Sequence, residues 1–141
     1  MNMHGYFEKG RIYIDVEVWG ILQKLKQNFK ALVDTGFDGY ITIPFAQALS
    51  LGLVLKGTQS YTLADGKSSH NLVCLGTVKY HNKKAVVPID VQFGASVLIG
   101  SSLLKELGIG LNADYKNQEV KFRNCKVKPT TNPVTTPSTT A

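Results

Sequence analysis

From Ile12 to Trp19 the side chains alternate without a break. Ile12, Ile14, Val16 and Val18 are apolar, and Tyr13, Asp15, Glu17 and Trp19 between them carry polar groups. Successive side chains of a strand point to opposite faces, so this pattern fits a half-buried strand and does not fit a helix. The same period of two dominates the chain. "WGILQKLKQNF" reads as a turn at Gly20 and a return strand, and Phe29 to Val33 as a strand leading into Asp34. Tyr40 to Ile43, "NLVCLGTVKY", "KAVVPIDVQF" and the apolar "ASVLIG", which ends at Gly100, read as further strands. "IGLNADYKNQEVKF" reads as a closing hairpin that turns around Asp114 to Asn117. Asp65-Gly66 predicts a two-residue type I′ turn, which needs positive φ at both central residues. Its small, polar arms predict a hairpin that projects into solvent. Two short helices complete the inventory. One is "PFAQALSL", with Pro44 in its first turn and Gly52 as stop. The other is "SSLLKELG", with Ser101 or Ser102 as N-cap and Gly108 as stop. The expected fold class is all-β with two short helices.

A chain of 141 residues with 43% hydrophobic and 18% charged residues is long and apolar enough for one core. No apolar run approaches the roughly 20 residues of a membrane helix. The first residues lack the basic-then-apolar pattern of a signal peptide. The expectation is therefore a cytoplasmic chain with no membrane partner. "KVKPTTNPVTTPSTTA" has almost nothing to bury, so a domain over residues 1–126 and a flexible Thr/Pro-rich tail over 127–141 are expected. The net charge is +6, but the closest basic groupings (Lys24, Lys26 and Lys30; Lys83 and Lys84; Lys121 to Lys128) are not interleaved with aromatic residues. A stacking platform for nucleic acid is not expected from that arrangement. Cys74 and Cys125 are far apart and lack metal-ligand spacing, and His4, His70 and His81 have no ligand set around them. Reduced thiols, no metal and no cofactor are the expectation.

Asp34 breaks the apolar logic. It follows Ala31, Leu32 and Val33 directly and precedes Thr35 and Gly36. A carboxylate at the end of a buried strand is costly without partners. The strand holds Asp34 rigidly at the lip of a cavity, Gly36 permits close approach, and Thr35 supplies a hydroxyl. Hydrolysis of an amide without a metal or a nucleophilic side chain needs two carboxyl groups, one to take a proton from water and one to give a proton to the carbonyl oxygen. Two carboxylates about 3 Å apart cannot both ionise, which places an acid and a base in one site. The chain has one Asp-Thr-Gly and no Asp-Ser-Gly. If Asp34 is catalytic, its partner is Asp34 of another copy, related by a two-fold axis. The bland alternative is an Asp that caps a turn through its side chain.

The tripeptide arises by chance in roughly a few per cent of chains this long, so its context decides. In context the chain resembles the retropepsin-like aspartic proteases. The resemblance runs through Asp34-Thr35-Gly36, Asp38 and Gly39, the small-residue tip Ala64-Asp65-Gly66, Leu98-Ile99-Gly100 followed by "SSLLKELG", and the closing hairpin "LNADYKNQEVKF". It implies a closed β-barrel domain that acts as a homodimer on peptide or protein substrates. It implies that Asp34 is the catalytic aspartate, that Thr35 makes a reciprocal contact across the dimer, and that the Gly36 carbonyl accepts substrate backbone. Asp38, Gly39 and Ile99 would meet substrate, and residues 63–67, with Leu63, Ala64, Asp65 and Gly66, would form a flap over it. Ser101 stands where retroviral members carry an Arg that supports the aspartate matching Asp38. Two readings follow: an aspartic endopeptidase, or a non-catalytic dimeric module of the same fold that binds peptides.

Overall fold

In the computed structural model, which describes residues 3–62, 64–94 and 96–125, the alternation at Ile12 becomes a strand with Ile12, Ile14, Val16 and Val18 all buried. The described elements run β1 (Met3–His4), β2 (Tyr6–Glu8), β3 (Arg11–Trp19), β4 (Lys26–Val33), β5 (Ile41–Pro44), α1 (Phe45–Leu51), β6 (Val54–Thr62), β7 (Ser68–Tyr80), β8 (Lys83–Gln92), β9 (Leu98–Ile99), α2 (Ser101–Leu107), β10 (Ile109–Asp114) and β11 (Glu119–Asn124).

Eight strands form one sheet in the order β2-β3-β4-β9-β5-β8-β7-β6, and β3 pairs again with β7. That second pairing sets Val18 opposite Val78 and Trp19 opposite Thr77. It closes β3, β4, β9, β5, β8 and β7 into a barrel, which removes their exposed edges. Val18, Ala31, Ile41, Val78, Ile89 and Ile99 fill the interior with no solvent exposure. Each of the larger ones contributes roughly 1.5–3 kcal/mol by burial. A second sheet, β1-β11-β10, packs Met3, Ile109, Val120 and Phe122 inward. The Phe122 ring meets that of Tyr80 edge-on at 5.8 Å, which joins the small sheet to the barrel. The expected all-β, closed-barrel architecture with two short helices is what the chain adopts.

Local details differ from expectation in four places. Type I′ geometry lies at Lys9–Gly10, with φ of 52° and 77°, where Glu8 pairs with Arg11. At the other hairpin Gly66 has φ 84° but Asp65 stays out of the left-handed region. There the arms close at Thr62–Ser68, so residues 63–67 span the tip, and Asp65 Oδ1 accepts the Lys67 N–H at 3.0 Å. Pro44 ends β5, opposite Gln92, in extended conformation, and α1 begins only after it. Gly100, and neither serine, is the N-cap of α2, because both serine hydroxyls are drawn to a neighbouring loop. The return strand starts at Lys26, after a loop that leaves Leu22 76% exposed. Both helices stop as expected, at Gly52 (φ 63°) and Gly108 (φ 64°).

Cys74 is buried, Cys125 is exposed, and both are free thiols; burial pushes the Cys74 thiol up. In space, unlike in sequence, cations and aromatic rings do interleave. Lys26 and Lys79 lie 5.2 and 5.7 Å from the Trp19 ring centre, and Lys30 lies over Tyr6 and Tyr13. The lysines occupy the ring faces that a base would need. The proposed domain limit near residue 126 and the tail over 127–141 lie outside the described residues.

Candidate active site

β4 carries Asp34 at its C-terminal end. The strand runs parallel to β9, with Leu32 opposite Leu98 and Val33 opposite Ile99. On its far side β9 runs antiparallel to β5, with Ile41 opposite Ile99. The segment between β4 and β5 therefore straddles β9. Backbone bonds fasten it there: Asp34 N to Ile99 O (2.9 Å), Gly100 N to Tyr40 O (3.0 Å), Ser101 N to Phe37 O (2.9 Å) and Ser102 N to Gly39 O (3.2 Å). The hydroxyls add to these. Ser101 Oγ donates to Phe37 O at 3.4 Å, and Ser102 Oγ donates to Asp38 O. All four carbonyls from Phe37 to Tyr40 are thus held by Gly100, Ser101 and Ser102. A Cβ at Gly100 would stand 2.2 Å from Gly39 O and 2.5 Å from Phe37 O, so only glycine allows this approach. Thr42, 1% exposed, pins β9 from below: its Oγ1 accepts Leu98 N–H at 3.1 Å and donates to Ser96 O at 3.4 Å.

Within the loop, Gly36 N–H donates to Asp34 Oδ1 at 3.0 Å, and Phe37 N–H to Asp34 O at 3.1 Å. Among the described residues nothing bonds Oδ2. Asp34 is half-buried, while Thr35, Gly36 and Asp38 are exposed and Gly39 is half-buried. Gly36 is outside the left-handed region; its missing Cβ, which would sit 3.3 Å from Asp34 Oδ1, leaves the carboxylate open.

Asp34 and Thr35 open onto a cleft of about 260 Å³ that Gly10, Arg11 and Tyr115 also line. Gly36, Phe37, Asp38, Gly39 and Tyr40 line a second cleft of about 530 Å³, closed by Gln59, Pro88 and Asp90. A third, of about 670 Å³, shares Phe37 and Asp90 and extends to Thr62, His70, Leu72 and Phe93. The arms of the β6–β7 hairpin form the wall opposite the loop. They are tied together by Ser60 Oγ and His70 Nδ1 at 2.8 Å. Ala64, Asp65 and Gly66 are exposed at the tip and line none of these clefts, and Leu63 lies outside the described residues. Ile99 is wholly buried and meets the loop through its carbonyl, while its side chain fills the core. The sequence reading missed the Ser101 and Ser102 hydroxyls, Thr42, Asp90 and His70. Serines before a helix signal a cap, and nothing local says they hold another loop.

No protein-family model matches the sequence, and no curated protein matches it. Solved structures do match. The protease of Simian Foamy Virus (mac) aligns over 66% of this chain and 91% of its own, at 16% identity and a TM-score of 0.48. EIAV protease, solved with an inhibitor, aligns over 73% of this chain and 93% of its own, at 18% identity and a TM-score of 0.51. The chain has the retropepsin-like fold. The likeness is one of architecture and assigns no residue. Within this retropepsin-like domain the Asp34 loop, the β6–β7 hairpin, β9 and α2 follow one another in the order that the sequence resemblance implied.

Proposed function

We propose that the protein is an aspartic endopeptidase whose active site is completed by a second copy of the chain. The observation that carries this reading is the Asp34 carboxyl group. It is held at a strand end by one amide, half-exposed, with its second oxygen unbonded among the described residues and a cleft in front of it. A two-fold axis at Thr35 brings two such groups together. They share a proton, because two adjacent carboxylates cannot both ionise. The ionised one takes a proton from water as that water attacks the peptide carbonyl, and the protonated one gives its proton to the carbonyl oxygen. Thr35, exposed beside the axis, makes the reciprocal contact between loops. The Gly36 carbonyl and the Asp38–Gly39 segment bind the main chain of an extended peptide. The β6–β7 hairpin, with Leu63, Ala64, Asp65 and Gly66 at or beside its tip, closes over the peptide and excludes bulk water.

The test is cleavage of a peptide library between about pH 4 and 7, with and without a pepstatin-type inhibitor. The Asp34→Asn chain is expected to lose activity by at least about 10²–10⁴-fold. Turnover by Asp34→Asn at the parent rate ends the reading. Peptide binding by the parent without turnover favours the non-catalytic module instead.

A further inference from the structure

The two clefts on the hairpin side of the loop share Phe37 and Asp90 as common walls. The chain has sixteen Lys and Arg residues and a net charge of +6, yet among the described residues none of them lines either cleft. Carboxylates are present instead. Asp38 is exposed on the loop, and no described residue pairs with its carboxylate; Ser102 takes only its main-chain carbonyl. Asp90, on β8, belongs to both walls but is 6% exposed and already has a partner, so the accessible charge is that of Asp38, in the smaller cleft. Beside them stand the half-buried rings of Phe37 and Tyr40, and Phe93, which is 88% exposed at the rim and tilts against Phe45 at 5.2 Å. Carboxylates next to aromatic faces are the chemistry that recognises a cation. The carboxylates draw the charge, the ring faces take a guanidinium or ammonium, and the aliphatic stem packs on apolar wall. The cleft in front of Asp34 differs in that it pairs a cation, Arg11, with the Asp34 carboxylate.

We infer that the hairpin-side clefts receive a basic side chain, arginine or lysine, of the peptide substrate. This rests on the peptidase reading above and adds to it the substrate class. His70 also lines the larger cleft, so every arm of the test is run in one buffer at a single fixed pH.

The experiment uses the full chain carrying Asp34→Asn, so that binding is read without cleavage. Fluorescein-labelled peptide pools, fixed at one central position as arginine, citrulline or glutamate and randomised elsewhere, are titrated by anisotropy. The arginine pool is expected to bind about tenfold more tightly than the citrulline pool, which has the same shape without the charge, and the glutamate pool more weakly than either. Adding Asp38→Asn should shrink the gap between arginine and citrulline. Equal binding of the arginine and citrulline pools, or no binding of either, overturns the inference. Cleavage of the same pools by the parent chain separates the two ideas. Turnover without arginine preference removes the basic-side-chain inference and leaves the peptidase reading. Arginine-selective binding without turnover does the reverse.

Discussion

Tyr80 is 3% exposed, and its hydroxyl has no hydrogen-bond partner among the described residues. Burial first, and the charge of Asp15 second, push its phenol up to about 12. Tyr6 is also pushed up to about 12, by burial and by its hydrogen bond to Asp15. Both phenols bind their protons more tightly folded than unfolded. The stability linked to them is fully present below pH about 10 and is lost as pH rises from about 10 to about 12. Tyr80→Phe removes an unsatisfied buried hydroxyl and keeps the ring contact with Phe122. It is expected to leave stability unchanged or raise it by about 1 kcal/mol at neutral pH, and to soften the alkaline loss. Urea denaturation at neutral pH and again above pH 10 checks both; a clear loss at neutral pH would mean the hydroxyl has a partner. Asp34 shows the complementary case, a half-buried polar group that lines a cleft rather than the core.

Short strand β9 does more than its two residues suggest. It separates β4 from β5 and, through Ile99 and Gly100, sets the height of the Asp34 loop. Besides its backbone pairing, one side chain anchors it: Thr42, reaching Leu98 N–H and Ser96 O. Thr42→Val keeps the shape and removes both bonds, leaving a buried amide without that acceptor. The expected cost is about 1–3 kcal/mol in urea denaturation with an unchanged slope, together with a fall in peptidase activity; Thr42→Ser should restore much of both. A Val variant as stable and active as the parent would show that the ladder alone positions β9. Ser101 and Ser102 serve the other side of the loop, where two hydroxyls and two amides hold its main-chain carbonyls.

One chain supplies half of the proposed site, so catalysis by the whole molecule depends on meeting a copy of itself. Mixing the parent with a roughly tenfold excess of Asp34→Asn chain should, after exchange of subunits, lower parent activity to about a tenth, because most parent chains then sit in mixed dimers. Unchanged activity would mean that each chain works alone. The first and last described strands meet within one chain: β1 pairs with β11, with Met3 opposite Phe122. Such non-local pairings close late and slow folding relative to helical domains.

The legible parts of this protein were those decided within a few residues. Alternation set which face of β3 is buried. Glycines at 52 and 108 ended both helices because a left-handed residue there is local chemistry. Asp34-Thr35-Gly36 announced a carboxylate at a strand end before any contact was known. The rest came from residues far apart in the chain. Ser101 and Ser102 became anchors of a loop rather than caps, and β1 found its partner in β11, more than a hundred residues away. The cleft that gathers Asp38 with Asp90 exists only because β8 and the β6–β7 hairpin fold back over the loop. Backbone preference and burial period act over a turn or a strand, whereas sheet order, and with it the surroundings of Asp34, is chosen by the packing of the whole barrel.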